Sequence, residues 1–258
     1  MISGSPPTAP KARAGLLGAS SWHLLFPLET EAQLLQEQGL LTRLGCQYHW
    51  FNDDYQCFDD FLAALNSRKR KNLRKERAAV QAQNISFRIL EGAQVSEEQW
   101  QVFFRFYQST YRVRGRRGYL NLEFFLSLGR SLPDDLVLIL AEHDAAPVAG
   151  ALFFKSREKL LGRYWGCSEE FQFLHFETCF YQGIEYCIRH GLKSFDAGAQ
   201  GEHKIQRGFR PIPTWSAHWI AHPAFEAAIA DFLEREAVYL RGYMSEATTL
   251  LPFRQPTP

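Results

Sequence analysis

Three short apolar runs follow one another near the middle of the chain. The first lies between Asp135 and Glu142 and consists of Leu-Val-Leu-Ile-Leu-Ala, and the next two span residues 148–155 and 159–165. Runs of this length, joined by turns of a few residues, are typical of neighbouring strands in an antiparallel sheet. The pattern predicts a three-stranded meander.

The segment after the meander carries apolar residues at helical spacing. They share one face of a helix over about 175–190, which Gly191 can cap. The stripe consists of Phe176, Cys179, Phe180, Gly183, Ile184, Cys187 and Ile188. A strand at 194–199 then returns across this helix and is predicted to be parallel to its neighbour in the sheet.

Further elements are predicted on both sides of this region. They are short strands and a helix in 21–52, helices at 57–83, 97–112 and 121–132, strands at 85–90 and 215–220, and a last helix at 225–243. Together the segments predict an α+β fold with a mixed central sheet flanked by helices.

Composition and charge exclude several classes of protein. The 258 residues are 46% hydrophobic and 22% charged with a net charge of +1, which is typical of a globular protein and not of a disordered chain. No apolar run approaches the ~20 residues of a membrane-spanning helix. Five cysteines without a C-x-x-C pair indicate neither a disulfide framework nor a zinc site and favour a cytoplasmic location.

One short segment concentrates groups that acyl transfer needs. After the predicted strand, residues 195–209 contain three glycines together with Glu202, His203, Lys204 and Arg207. Transfer to an amine requires a base for the nucleophile's proton and a cation or hydrogen-bond donor for the oxyanion. A polar surface loop with internal salt bridges is the equally supported alternative.

Four segments closely resemble the FemAB-like family of predicted bacterial N-acyltransferases. They are Gly-Arg-Tyr-Trp-Gly-Cys at 162–167, Leu-His-Phe-Glu at 174–177, Gly-Ala-Gln-Gly-Glu-His-Lys at 198–204, and Ser-Arg-Lys-Arg-Lys at 67–71 with the following Glu76 and Arg77. The resemblance implies a GNAT-like fold and a relation to the Fem transferases. Those enzymes move an aminoacyl group from charged tRNA to the peptide of a cell-wall precursor.

Roles for individual residues follow partly from this resemblance and partly from the residues themselves. Lys204, with His203 before it, looks like the counterpart of a Phe-Lys element implicated in transfer, and Glu202 or Glu177 is a candidate base. The candidate substrate-binding residues are Arg163, Trp165, His175, Gln200 and Arg207. The alternatives are structural: Glu177 at a helix start complements the helix dipole, His175 is a cap or packed polar residue, and Arg163 is a buried arginine.

A basic segment offers a partner for phosphates. Seven cations and one acid lie between Ser67 and Arg77, and Arg70 and Arg74 share a helix face. Phosphates of tRNA or of a nucleotide-linked precursor could bind there, although most such side chains in proteins are simply solvated. A metal site is disfavoured, since His175 and Cys179 have no further ligands beside them.

The resemblance suggests a division of the chain. Residues 1–20 are expected to be a flexible lead-in, with a transit peptide as the alternative, and 21–56 the remnant of a first GNAT-like domain. A basic connecting helix at 57–83, a GNAT-like acyltransferase domain at 84–250 and a tail at 251–258 complete the division. No Q/R-x-x-G-x-G/A loop precedes the helix at His175, which weakens acetyl-CoA as donor.

The favoured interpretation is an N-acyltransferase without a bound cofactor. Its donor is aminoacyl-tRNA or acyl-CoA, and its acceptor is an amine on a small molecule or a peptide, with a peptidoglycan precursor as the candidate. The alternatives are a non-catalytic module that binds tRNA or the precursor, and a scaffold completed by another chain. The catalytic interpretation requires the segment around Lys204 and the helix start near His175 to open into one cleft.

Overall fold

The computed structural model describes residues 8–199 and 201–254, and the contacts within it divide them into two compact units. Unit 1 comprises 8–47 and 211–250, and unit 2 comprises 48–210 and 251–254. The division of the chain suggested above stays a prediction.

Unit 1 combines strands and helices from both ends of the chain. Its elements are α1 (Thr8–Leu16), β1 (Ser21–Leu25), α2 (Glu29–Glu37), the first part of β2 (Leu41–Phe51), most of β8 (Arg210–Ile220) and α9 (Pro223–Thr249). Strand β1 pairs antiparallel with β8, with His23 opposite His218. Leu35, Leu40 and Ala217 form its buried core.

Unit 2 contains the predicted meander and the helices that cover it. Its elements are the end of β2, α3 (Phe58–Ala64), α4 (Ser67–Gln81), β3 (Ile85–Glu91), α5 (Glu97–Arg112), α6 (Leu122–Ser131), β4 (Leu136–His143), β5 (Ala146–Lys155), β6 (Lys159–Cys167), α7 (Leu174–Phe176), a π-helical turn (Glu177–Tyr181), α8 (Gln182–Arg189), β7 (Ser194–Asp196) and a 3₁₀ helix (Glu202–Arg207).

The strands of unit 2 are hydrogen-bonded in the order β2-β7-β6-β5-β4-β3. The meander β4-β5-β6 is antiparallel, as the sequence predicts. Strand β7 runs parallel to β6, with Leu160 opposite Phe195, because the helix over 174–189 carries the chain back to the same end of the sheet. The predicted mixed sheet of an α+β fold is therefore confirmed.

Helix α5 spans the residues that the apolar pattern predicts. The Ser96 hydroxyl accepts a bond from the Gln99 amide at 3.3 Å, and the Gln99 side chain accepts one from the Ser96 amide at 2.9 Å. This capping box satisfies two amides that would otherwise lack partners at the helix start. The buried face of α5, with Trp100 and Phe103, packs in one core with Leu138 of β4.

The single helix predicted at 57–83 is wrong, because the chain breaks there into α3 and α4. Leu65 is extended, with ψ of 152°, and is fully buried. The Asn66 side chain then accepts a bond from the Lys69 amide at 3.0 Å and caps α4. Leu65 also forms a β-bridge with Phe253, far along the chain, so burial of this leucine outweighs helix continuity.

Candidate active site

A cavity of about 680 Å³ lies within unit 2. It is lined by β5 and β6, by the helix that starts at Leu174, and by the segment around Lys204. Its polar and aromatic side chains are Tyr111, Arg114, Arg163, Tyr164, Trp165, His175, Cys179, Phe180, His203 and Lys204. The segment around Lys204 and the helix start at His175 therefore meet in one cavity, which is the arrangement that the catalytic interpretation requires.

Two glycines shape the segment that carries Lys204. Gly201 and Gly208 have φ of +111° and +87°, a backbone conformation that side chains with a Cβ disfavour. They bracket the 3₁₀ helix Glu202–Arg207, in a stretch that sequence analysis treats as a loop. This short helix places Lys204 on the buried side and His203 on the accessible side.

Lys204 is the most buried charged residue of the cavity, with 2% of its surface exposed. Its ammonium donates a hydrogen bond to the backbone carbonyl of Gly198. Burial lowers its pKa from 10.5 to about 8, although the nearby carboxylate of Asp196 partly opposes this shift. At neutral pH the group is still mostly an ammonium, so it can donate to a negatively charged oxygen.

Two imidazoles line the same cavity. The His175 residue is partly exposed, but its ring packs edge-on against Trp165 at 5.2 Å between ring centres. Desolvation of the ring and then the electrostatic effects of His203, Arg207 and Lys204 lower its pKa to about 4. Desolvation and the cations Arg207 and Lys204 also lower the pKa of His203. Both rings are consequently neutral at pH 7 and can accept a proton.

Arg207 lies outside the lining of the cavity and holds one of its walls. Its guanidinium pairs with Glu76 at 2.9 Å and donates to the Tyr181 hydroxyl at 2.9 Å. It also stacks 3.7 Å above the Phe176 ring and donates to the His203 carbonyl at 2.9 Å. The substrate contact predicted for Arg207 is not what this geometry provides, since the half-buried Glu76 carboxylate already neutralises the cation.

Glu177 is also placed differently from the prediction. It belongs to the π-helical turn and is 3% exposed, whereas the sequence pattern puts it off the buried face. Its carboxylate accepts bonds from Arg77 at 3.1 Å and from the Gln182 amide at 2.8 Å. Glu177 does not line the cavity, so the base predicted here is a structural ion-pair partner in this arrangement.

The other predicted site residues separate into two groups. Arg163 and Trp165 line the cavity from β6, with the Arg163 guanidinium 4.8 Å from the Tyr164 ring centre. Glu202 is exposed and is not among the lining residues, and Gln200 lies outside the described residues. Their proposed roles stay predictions.

The basic helix α4 does not reach the cavity. Neither Arg70 nor Arg74 is among the lining residues, and Arg74 pairs with Asp59 at 3.2 Å. Arg77 at the end of the basic run is held by Glu177 and Glu185. Part of this basic segment therefore has structural partners.

Sequence analysis missed several residues of the cavity. Tyr111, near the end of α5, and Arg114, just beyond it, belong to none of the matching motifs, and only the packing of α5 on β6 brings them there. The sequence pattern places Cys179 on the buried stripe, whereas in the structure it lines the cavity, and burial raises the pKa of its thiol. No local signal in the sequence indicates these positions.

Neither a metal centre nor a membrane-spanning helix is found within 8–199 and 201–254. No group of three or more His, Cys, Asp or Glu side chains there could hold a metal ion. No helix in these ranges is long and apolar enough to cross a membrane.

Solved structures share this fold at low sequence identity. FemX is 14% identical with a TM-score of 0.62, over 85% of this chain and 77% of its own. The C-terminal domain of a putative lysylphosphatidylglycerol synthetase from Agrobacterium fabrum is 13% identical with a TM-score of 0.62, over 87% and 74%. L-PGS from Bacillus licheniformis is 10% identical with a TM-score of 0.60, over 88% and 76%.

These likenesses establish the fold, and they confirm the predicted α+β class with a mixed central sheet flanked by helices. No curated protein sequence matches the chain. A family model described as peptidoglycan biosynthesis/recognition matches residues 9–255, which is nearly the whole chain. The chain belongs to the FemAB-like family.

Proposed function

We propose that this chain is an N-acyltransferase that moves an acyl or aminoacyl group from an activated donor to an amine, with a peptidoglycan precursor as the acceptor. The family's link to peptidoglycan biosynthesis supports the class of acceptor. The observation that carries the proposal is the buried Lys204 ammonium beside the neutral His203 in one cavity.

The reaction uses these two groups in distinct steps. The neutral amine of the acceptor attacks the carbonyl carbon of the donor, and a C–N bond forms while the carbonyl oxygen becomes an oxyanion. The Lys204 ammonium donates a hydrogen bond to that oxygen, in a buried site where such a bond is stronger than in water. Removing one oxyanion donor of this kind costs about 10²- to 10³-fold in kcat.

The proton and the leaving group follow in the second half of the reaction. His203 accepts the proton that the attacking nitrogen loses, because its ring is neutral at pH 7. The C–O bond of an ester donor, or the C–S bond of a thioester, then breaks, and the leaving oxygen or sulfur takes this proton. The products are an amide and the free hydroxyl or thiol of the carrier.

Arg163, Trp165 and His175 surround the space in which the two substrates meet. Arg163 is suited to an anionic group of the acceptor, and the neutral His175 ring can orient a hydroxyl or an amide. The pair of Arg207 and Glu76 fixes the backbone at His203. Arg207 is thus a positioning residue, since it acts through His203.

The test is a transfer assay with Lys204→Ala. Wild-type protein is incubated with a nucleotide-linked muramyl pentapeptide and either acetyl-CoA or a set of charged tRNAs, and the mass gain of the peptide is measured. We expect transfer with one donor class, and a loss of about 10²-fold or more in Lys204→Ala. Lys193→Ala serves as the matched control, because this lysine is exposed and pairs with Glu158 away from the cavity lining.

Two results would overturn the proposal. Unchanged turnover in a folded Lys204→Ala variant would remove the catalytic assignment. A wild-type protein that binds tRNA or the muramyl peptide but forms no product with any donor would be a binding module instead.

A further inference from the structure

The stretch between Glu98 and Glu123 contains five arginines and no acidic residue. They are Arg105 in α5 and Arg112, Arg114, Arg116 and Arg117 at and beyond its end. Like charges at this density repel one another and disfavour the compact state, so the fold itself gains little from them. A chain with a net charge of only +1 has therefore gathered much of its unbalanced positive charge here.

These arginines are accessible and are not neutralised within the molecule. All five side chains are exposed, and none has an ion-pair partner among residues 8–199 and 201–254. Arg112, in the last turn of α5, also faces the negative end of the helix dipole, which accounts for that one residue only. The four others have no ion-pair partner within the described part of the chain that would explain them.

The arginines border two recesses in the surface of unit 2. One recess, of about 490 Å³, is lined by Arg105, Ser109 and Arg112 with Phe104 and Gln108 among its walls. A second, of about 380 Å³, shares three of these residues, Phe104, Gln108 and Arg112. It adds Arg116 and Arg117 to its lining.

The same segment also reaches the candidate active site. Tyr111 and Arg114 line the 680 Å³ cavity that contains Lys204, while Arg112 between them lines both recesses. One segment of the chain, which has no acidic residue between Glu98 and Glu123, thus supplies arginines to both recesses and to the cavity. We call Arg105, Arg112, Arg114, Arg116 and Arg117 the arginine strip.

Aromatic side chains are interleaved with the arginine strip. Tyr119 is 66% exposed and packs edge-on against Tyr111 at 5.9 Å between ring centres. Phe104 lines both recesses and stacks on Tyr107 at 6.3 Å. Arginine guanidinium groups bind phosphates, and bases can stack on accessible aromatic rings. Sites that bind single-stranded nucleic acid combine these two features.

We propose that the arginine strip and its two recesses bind the phosphate backbone of an RNA and direct its end into the cavity. This inference rests on the proposed function, because the RNA would carry the aminoacyl group to Lys204. It differs from the sequence-based expectation, which assigned RNA phosphates to the basic helix α4. The cations of α4 are partly committed, with Arg74, Arg77 and Lys69 bound to Asp59, Glu177 and Gln206.

The test is binding of fluorescently labelled bacterial tRNA, measured by anisotropy between about 50 and 200 mM salt. The triple variant Arg112→Ala, Arg116→Ala, Arg117→Ala should lose at least about tenfold in affinity at the lower salt, and its slope of log K against log salt should fall by about 2 to 3. Circular dichroism establishes that the variant is folded, which is expected because all three side chains are exposed.

A matched variant separates the strip from general positive charge. Arg68→Ala, Lys71→Ala, Lys75→Ala removes three exposed cations from α4 and should leave both affinity and salt slope close to wild type. Equal losses in the two triple variants would overturn the inference, as would tRNA binding that neither variant changes. Arginine-dependent binding to phosphatidylglycerol vesicles without binding to tRNA would also overturn it and would assign the strip to a lipid surface.

The inference and the proposed function can fail separately. Lys204→Ala should retain the wild-type salt slope of tRNA binding, because the phosphate contacts lie in the strip and not at Lys204. If that variant also transfers normally, the catalytic proposal fails while the RNA site stands. If wild type transfers from acetyl-CoA and binds no tRNA, the RNA site fails while the transferase stands.

Discussion

Replacing Lys204 with methionine should change the pH dependence of stability as well as remove transfer. Methionine keeps an unbranched apolar chain of similar length and deletes only the charged end. In the folded protein, burial lowers the lysine pKa from 10.5 to about 8. Each pKa unit corresponds to 1.36 kcal/mol, so keeping the buried ammonium charged costs the fold ~3 kcal/mol at pH 7.

The sign of this effect follows from proton linkage. Between pH 8 and 10.5 the unfolded chain holds the lysine proton while the folded protein has released it, so the free energy of unfolding rises with pH across this window. Below pH 8 both states are protonated, and the full cost is present. The lysine contribution should therefore rise by ~3 kcal/mol from pH 8 to 10.5 in wild type and be absent in Lys204→Met.

Urea denaturation at several pH values from 7 to 10.5 measures this difference. Tyrosines contribute to the pH dependence of both proteins, so the difference between the two profiles isolates the contribution of Lys204. Lys193→Met, at a lysine that is 72% exposed, is the control and should follow the wild-type profile. Identical pH profiles for wild type and Lys204→Met would show that Lys204 does not carry a buried, destabilised charge.

Three further substitutions test the surroundings of the cavity. Glu177→Gln should lower stability but keep the transfer rate of the folded protein within about twofold, whereas loss of a general base costs 10²-fold or more. Glu76→Gln leaves the Arg207 cation buried without its partner and should cost about 3 kcal/mol in urea unfolding. Gly166→Ala would place a Cβ 1.9 Å from the Phe106 carbonyl oxygen and should abolish soluble expression.

Each of these three substitutions has a control variant and a result that would contradict the prediction. A fall of 10²-fold in transfer by folded Glu177→Gln would restore this residue as the base. Asp59→Asn breaks an exposed pair and should cost less than about 1 kcal/mol, and an equal cost for Glu76→Gln would contradict a buried network. Gly242→Ala meets no atom within 4 Å, so it should express normally, and a well-folded Gly166→Ala would contradict the packing of α5 on β6.

The order and type of most elements follow from the sequence alone, because their causes are local. Strands β4, β5 and β6 each correspond to one continuous apolar run, and short turns separate these runs in the sequence. Helix α5 begins where Ser96 and Gln99 form a capping box within four residues. The resemblance of short motifs to the FemAB-like family is likewise local, and it is confirmed.

The break between α3 and α4 depends on a contact that is distant in the sequence. Helical periodicity continues through Leu65, although Asn66 can cap the start of a new helix. Pairing of Leu65 with Phe253, a residue 188 positions later, decides its extended backbone. A long-range contact of this kind outweighs the small differences in helix propensity between ordinary residues.

The residues of the candidate site also include some that local motifs indicate and others whose role depends on tertiary contacts. Sequence motifs indicated Lys204, His203, His175, Arg163 and Trp165, and the tertiary structure places all five in one cavity. The charged residues beside them, Glu177 and Arg207, look equally functional in the sequence, and only their contacts with α4 show them to be neutralised ion pairs.

Most elements, the family and the kinds of chemical group available therefore follow from the order of the amino acids. Tertiary contacts decide which of these groups share a cavity and which neutralise one another. This is because a charge is tuned by its neighbours in space, at distances of a few ångströms. Glu76 reaches Arg207 across 131 positions of chain, and no local pattern records such a contact.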